Sequence, residues 1–418
     1  MLDIKFIRDN PEKVKEGIAK KQVKVDIDRL LALDEARRGS LQKIESLRAE
    51  QNKLGKPAFA KATAGKEDIV KAQGIKAEIK NLEPALADTE KELNSLMRQL
   101  PNLPLDDVPV GQDGNDNVVL REEGEKPKFD FEPKDYMTIA EKLDLIDVKR
   151  AAKVSGTRFG YLKGEAAMLE IALINLAFDT LIKEGFMPVI PPVVIKTEMM
   201  EKMGYIDTEA DKAERYFLKN GELVLVGTSE QSIGPMHQDE VLAEKELPKR
   251  YAAFSTCFRE EAGAYGKDTK GILRVHQFDK VEMFSICRPE KSKEEHLFLL
   301  KMEERLMQLL KLPYRVVHLS SGDISRPSAS TFDIETWLPG QGQYRETHSA
   351  SNCTDFQARR LNIRYRSKRG VEFVHTLNGT AFAIGRMLIA IIENYQQKDG
   401  SVKVPKALQK YTWFKKIG

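Results

Sequence analysis

The chain has 418 residues, 41% apolar and 31% charged, too long for one ordinary domain and comfortable for two globular ones. A net charge of +3 is too small to argue for nucleic-acid binding by itself. No apolar stretch approaches a membrane span, the start MLDIKFIRDN lacks an apolar signal core, and Cys257, Cys287 and Cys353 form no close pair; these features predict a cytoplasmic protein without membrane contact or a disulfide framework.

In chain order, residues 27–100 read as two long helices. In the second, Ala72, Ile75, Ile79, Leu82, Leu86, Thr89, Leu93, Leu96 and Leu100 alternate spacings of three and four, a heptad seam. The first carries Leu30, Leu33, Leu41, Ile44, Leu47 and Leu54, with gaps at Arg37 and Gln51. The break GKPAFAKATAGK at 55–66 suits a turn, so the pair reads as an antiparallel hairpin. Pro84 falls on an outward position and predicts a kink rather than a stop. Lys53, Lys56, Lys61 and Lys66 stand at the tip, where they are either a solvated loop or a surface that rests on phosphates.

Residues 101–134 are rich in Pro, Gly, Asp and Asn and read as a linker with one short strand at 117–121. Beyond 135, helical stretches near 164–184 and 291–311 mix with short β-type runs such as YAAFSTCF and RVHQFDKVEMF. That mixture predicts an α+β domain on an antiparallel sheet. Neither a P-loop, a GxGxxG turn, HExxH, CxxC nor GxSxG is present.

Three stretches carry chemistry. CFREEAGAYGKDTKGILRVHQFDKVE (257–282) places Arg259 at a strand end before a Gly-rich basic loop. A guanidinium is a planar fork suited to phosphate. In the return strand His276, Phe278, Lys280 and Glu282 share one face, offering a ring for a base and a carboxylate for an ammonium or hydroxyl. HTLNGTAFAIGRMLIAIIENYQ (375–396) reads as a strand, a small-residue turn and an apolar helix with Arg386 in its first turns; EGFMPVIPPVVI (184–195) is a helix end, a strand and Pro191-Pro192. The basic run 357–370 is either a solvated face or an aid to RNA docking.

The three stretches resemble motifs 2, 3 and 1 of the class II aminoacyl-tRNA synthetases. With the opening, the helical arm, LPNLPLDDVPVG, VGTSEQ, SNCTDFQARR and HTLNG, the whole chain is similar to the bacterial seryl-tRNA synthetases. The resemblance implies three parts: an N-terminal tRNA-binding domain over 1–104 with its arm at 27–100, a linker over 105–134, and a class II catalytic domain over 135–418. It implies activation of L-serine with ATP and Mg²⁺, transfer to tRNA(Ser) and also to tRNA(Sec), a homodimer built through motif 1, and no DNA partner. Residue by residue, Arg259 and Arg386 would be catalytic and hold phosphates. Glu260, Glu261, Phe278, Glu346, Thr347, His348 and Ser349 would complete the ATP site, with Glu346 and Ser349 as metal ligands. Thr228, Ser229, Glu230, Glu282 and Thr380, with Arg259, would bind serine. The family commonly reads EISS and NGSG where this chain has Glu346-Thr347-His348-Ser349 and Asn378-Gly379-Thr380-Ala381. Two other readings stay open here: a paralogue that loads serine or another small amino acid onto a carrier protein, and a non-catalytic coiled-coil RNA-binding protein.

Overall fold

The computed structural model describes residues 1–54, 66–264 and 270–418. The chain divides into two compact units, Met1–Pro101 and Asn102–Gly418. In the first, two short helices, α1 (Ile4–Asp9) and α2 (Pro11–Lys20), precede α3 (Ile27–Leu54) and α4 (Lys66–Gln99). The expected basic tip lies at 55–66, and 55–65 are outside the described residues.

The helix pair is held along an apolar seam: Ile44, Ile75 and Ile79 are buried, with Leu47, Leu54, Leu82 and Leu86 against them. Cross-helix ion pairs flank it, Arg29–Glu92 (2.8 Å), Arg37–Glu90 (3.0 Å), Lys43–Glu78 (2.8 Å) and Arg48–Glu83 (3.0 Å). Each is exposed and individually weak, because water and salt screen the charges; together they favour this pairing of the two faces. Arg37, a gap in the heptad pattern, is thus a polar contact between the helices. Near the base of the pair Leu93 and Leu100 are buried on the heptad schedule, but Met97 is buried as well, while Leu96 is only half-buried. A straight helix repeats every 3.6 residues, so the buried stripe drifts away from a 3.5 repeat. Helix α4 continues through Pro84, which is exposed as expected.

The second unit is built on an eight-stranded sheet. Its strands are β1 (Val118–Glu123), β2 (Met187–Val189), β3 (Lys249–Phe258), β4 (Gln277–Cys287), β5 (Tyr314–His318), β6 (Ser330–Leu338), β7 (Gln343–Asn352) and β8 (His375–Ala383). They lie in the order β1-β5-β6-β7-β8-β4-β3-β2. All neighbours are antiparallel except β2 and β3. The linker's short strand is therefore β1, an edge of this sheet. Three helices, α5 (Glu165–Ile182), α6 (Ser292–Leu310) and α7 (Ile384–Asn394), share one core with the sheet: Leu173, Leu306 and Leu388 are fully buried together with Val281, Met283, Ala350 and Leu377. Fully burying one such aliphatic side chain is worth roughly 1.5–3 kcal/mol.

Two differences from the sequence reading matter. The small-residue segment Asn378–Ala381 is the interior of β8, not a turn. Its glycine answers a packing need, since a Cβ at Gly379 would stand 3.1 Å from Glu303 Oε1 and 3.2 Å from Met283 Cε. The basic run 357–370 splits. Arg359 pairs with Asp355 (2.6 Å) and Arg360 is buried against Asp207 (2.8 Å), whereas Arg366, Lys368 and Arg369 are exposed on a hairpin.

The β6–β7 turn is anchored by a buried carboxylate. Glu393 of α7 accepts from Gly340 N (2.8 Å) through one oxygen and from Tyr136 N (3.1 Å) through the other. The segment before Tyr136 presses on the same turn, so a Cβ at Gly340 would stand 2.4 Å from Lys134 O and 2.6 Å from Asp135 Cα. Those are backbone atoms with no rotamer to yield. Gly340→Ala is therefore expected to cost about 3 kcal/mol, read as a lower thermal unfolding midpoint. An unchanged midpoint would show that the two segments part freely.

Candidate active site

A cleft of about 540 Å³ opens on the face of the sheet opposite the core helices, lined among others by Arg259, Glu261, Phe278, Glu346, Thr380 and Arg386. Strand β3 delivers Arg259 at its end. The guanidinium donates through Nε and Nη2 to the Gly227 carbonyl (3.3 and 3.2 Å) and lies 5.2 Å from the Phe278 ring centroid. Phe278 stands opposite Cys257 in the β3–β4 register. Glu261 turns back with a left-handed backbone (φ 51°) and meets Arg274 at 3.7 Å. Of the Gly-rich loop, 265–269 lie outside the described residues.

Two extra residues decide what faces the cleft. In β7 the ladder to β6 pairs Glu335 with Glu346 and Ile334 with His348, leaving Thr347 as a bulge. In a regular strand, residues three apart point to opposite faces. The bulge returns Glu346 and Ser349 to one face, beside Asp333, which is paired with Ser349. In β8, Val281 pairs with Phe382 and Glu282 with Thr380, so Ala381 is the extra residue. This brings Thr380 onto the face of Glu282, where its hydroxyl donates to Glu282 Oε2 (3.3 Å).

The two ends of the cleft differ in charge. At one, Arg386 Nη1 lies 2.9 Å from Glu346 Oε1 and donates to the Glu346 carbonyl (3.0 Å). Burial works against the Glu346 charge, but Arg386 and Arg259 outweigh it and hold the carboxyl below its ordinary pKa. Burial, reinforced by Glu346, drives the neighbouring Asp333 well above its usual range. A charged carboxylate with the Ser349 hydroxyl on the same face is a hard-oxygen donor pair, and it suits a Mg²⁺ that arrives with a polyphosphate.

At the other end Lys280 Nζ lies 2.5 Å from Glu282 Oε2, both side chains buried. Glu230, at the start of a short helix (Glu230–Ile233), accepts a short hydrogen bond from the Tyr205 hydroxyl. Burial, aided by Glu282, pushes the Glu230 carboxyl up to about 7, against the opposing pull of Tyr205, Lys280 and Arg259. Thr228 Oγ1 is buried with no hydrogen-bond partner among the described residues. An unmade bond of this kind costs about 1–3 kcal/mol and points to a ligand that would complete it.

Three of the expected residues are turned elsewhere. Ser229 is fully buried and donates to Ala253 O (3.4 Å). The Glu260 carboxylate meets the Tyr216 hydroxyl. His348 stands on the core face opposite Ile334, its Nδ1 2.9 Å from Thr347 Oγ1, and burial lowers its pKa to about 3, so the ring is neutral. Thr347 lines the cleft, but its hydroxyl is held by Thr336 (2.7 Å). Conversely, Arg274, Lys280, Tyr205 and Arg215 belong to the site and had no role in the sequence reading. Arg215, over the Tyr205 ring at 5.6 Å, has its pKa lowered by burial and by Arg259. Alternation with Phe278 and Glu282 is a signal for Lys280; Tyr205 and Arg215 come from distant chain segments that carry no motif.

The family description "Seryl-tRNA synthetase N-terminal domain" matches residues 1–104, and "tRNA synthetase class II core domain (G, H, P, S and T)" matches 216–395. The chain is 46% identical to a serine–tRNA ligase of Dictyoglomus turgidum over 100% of its own length and 99% of the relative's. It is 45% identical to that of Thermobifida fusca, over 98% and 97%. Its fold is similar to the crystal structure of seryl-tRNA synthetase from Pyrococcus horikoshii complexed with ATP (TM-score 0.91, 41% identity, 100% and 99% covered). It is also similar to the cytoplasmic serine-tRNA ligase of Naegleria fowleri in complex with AMP (TM-score 0.88, 35% identity, 100% and 98% covered). With this fold, this cleft and full-length identity at that level, the chain belongs to the seryl-tRNA synthetase family, a helical N-terminal domain joined to a class II synthetase core.

Proposed function

We propose that the protein activates L-serine with ATP and transfers the seryl group to tRNA(Ser). The observation that carries this reading is the polarity of one cleft: arginines around Phe278 at the mouth, and two buried carboxylates, Glu230 and Glu282, at the inner end. The opposite charges match a polyphosphate and an ammonium presented by two substrates that meet.

In the first step an oxygen of the serine carboxylate attacks the α-phosphorus of ATP, the bond to the bridging oxygen of the β-phosphate breaks, and pyrophosphate leaves. In the second, a terminal ribose hydroxyl of the tRNA attacks the seryl carbonyl and AMP leaves. The Arg259 fork orients and neutralises the α-phosphate, Arg386 takes the γ side, Phe278 stacks under the base and Glu261 meets the adenine amino group. Positioning and charge, rather than a protein nucleophile, supply the acceleration. Glu346 and Ser349 would hold the Mg²⁺ that comes with ATP, and the ion supplies neutralisation of the polyphosphate. At the inner end Glu230 takes the serine ammonium, with Thr228 completing its missing bond, and Glu282 with Thr380 faces the serine hydroxyl.

The same reading makes the protein a cytoplasmic homodimer. No described helix is long and apolar enough to cross a membrane, and the three cysteines are buried and form no disulfide. Ile190 is 80% exposed and Met187 60%, beside the edge strand β2. Apolar groups so exposed beside an unpaired edge suit a second copy. Helices α3 and α4 form the tRNA-binding arm.

Three outcomes test these assignments. Arg259→Ala is expected to lower serine-dependent ATP–pyrophosphate exchange by roughly 10²–10³-fold with the fold intact; near-normal exchange removes Arg259 from the α-phosphate. Replacing residues 28–100 by a short linker leaves exchange largely intact and abolishes tRNA charging, and efficient charging by the armless protein refutes the role of the arm. The third is a pH effect. Ammonium binding needs the Glu230 carboxylate, whose pKa is raised to about 7. The serine KM therefore rises as pH falls through 7, approaching about tenfold per unit below it, and Glu230→Gln removes this limb. A serine KM that is level from pH 8 to 6 counts against the assignment.

A further inference from the structure

We propose that Lys280 is a positioning residue that determines specificity: it holds Glu282 in a buried ion pair, reserving that carboxylate for the substrate hydroxyl and leaving Glu230 to take the ammonium. The inference rests on the reading of this pocket as the serine site.

The pocket poses a problem of assignment. Glu230 and Glu282 are 3% and 2% exposed, and the Glu282 charge bears on the Glu230 carboxyl. A substrate with one ammonium entering between two carboxylates would be drawn to both. Its hydroxyl would then meet no acceptor of fixed position, and an analogue without the hydroxyl would fit as well. Lys280 removes this ambiguity. It is 6% exposed, and its Nζ lies 2.5 Å from Glu282 Oε2. The Thr380 hydroxyl donates to the same oxygen. Glu282 is thus supplied with an ammonium by the chain itself and fixed by two bonds on Oε2. Glu230 has the neutral Tyr205 hydroxyl as its hydrogen-bond partner; Lys280 and Arg259 favour its charge without bonding to it, and that charge is left for a ligand to meet.

Register makes the arrangement a property of β4. Lys280 and Glu282 are two residues apart on one face of a strand buried at this point, so the lysine reaches its partner alongside the strand rather than from another element. A buried lysine is rare unless paired, and breaking a buried pair costs more than forming it returns. Fixing the acceptor has a consequence for selectivity. A site built to bond a hydroxyl rejects the analogue lacking it because its own polar group is left unpaired, but only if that group cannot turn to another partner.

The test is a mutant cycle read by pyrophosphate exchange with serine and alanine. Lys280→Met is expected to lower the serine/alanine ratio of kcat/KM at least tenfold, mainly through the serine KM, and Lys280→Arg to recover part of it. In a Glu282→Gln background, Lys280→Met should change the ratio by less than twofold, because the lysine acts through that carboxylate. An unchanged ratio in Lys280→Met overturns the inference, and so does an equal loss in both backgrounds, which would mean that the lysine touches substrate itself. If Glu282→Gln alone leaves the ratio undiminished, the pocket reading falls and the inference with it. Should Lys280→Met fail to fold, the double variant, which removes both charges of the pair, is compared with Glu282→Gln. No further loss supports the inference, and a further loss overturns it.

Discussion

Strand register is the constraint on which the cleft depends. In β4, Phe278, Lys280 and Glu282 face the cleft while Val281 and Met283 are buried in the core that the sheet shares with its helices. A slip of one residue would send the charges into that core and the aliphatic side chains to the ligand. The apolar set therefore enforces the placement of the polar set. Thr347 and Ala381 refine it: each is one residue more than the ladder needs. Without them the residues that gather around the phosphates and the amino acid would alternate away from one another.

The site holds features that cost stability. A buried threonine hydroxyl has no described partner, two carboxylates are buried close together, and Glu261 adopts a left-handed backbone. Strain and unmet bonds of this sort gather where a ligand is to be bound. The pKa of Glu230 makes the point with a sign. A carboxyl raised in the fold contributes its stability below the ordinary carboxylate value and loses it as pH rises toward 7. At neutral pH the empty pocket is therefore less stable than it could be, and an incoming ammonium offsets that loss.

The arm follows a different economy. Its seam is narrow, and its exposed ion pairs are individually weak, so its length comes from repetition rather than from a deep core. Continuity through Pro84 shows that an outward position tolerates a residue that would break a helix elsewhere.

Local pattern alone determined much of this molecule. A heptad repeat fixes two helices, an arginine before a glycine-rich loop marks a strand end, and alternation puts Phe278, Lys280 and Glu282 on one face, because these are short-range consequences of backbone geometry. Tertiary structure decided the rest. No local signal distinguishes Ser229 and His348, spent on the interior, from Thr228 and Glu346 nearby: the bulge at Thr347 in the β6–β7 ladder separates Glu346 from His348, and the bond to Ala253 O turns Ser229 inward. The segment Asn378–Ala381 looks like a turn by composition and is a central strand, since its small residues answer the volume of Glu303 and Met283 on neighbouring elements. Arg360 looks like part of a basic surface and is buried on Asp207, a partner 153 positions away. Tyr205 and Arg215 join the pocket from loop segments outside the eight-stranded sheet, through tertiary contacts with Glu230 and with each other. Spacing along the chain reports what a residue's own element does; which charges meet, and which are left for a ligand, depends on elements that only the folded sheet brings together.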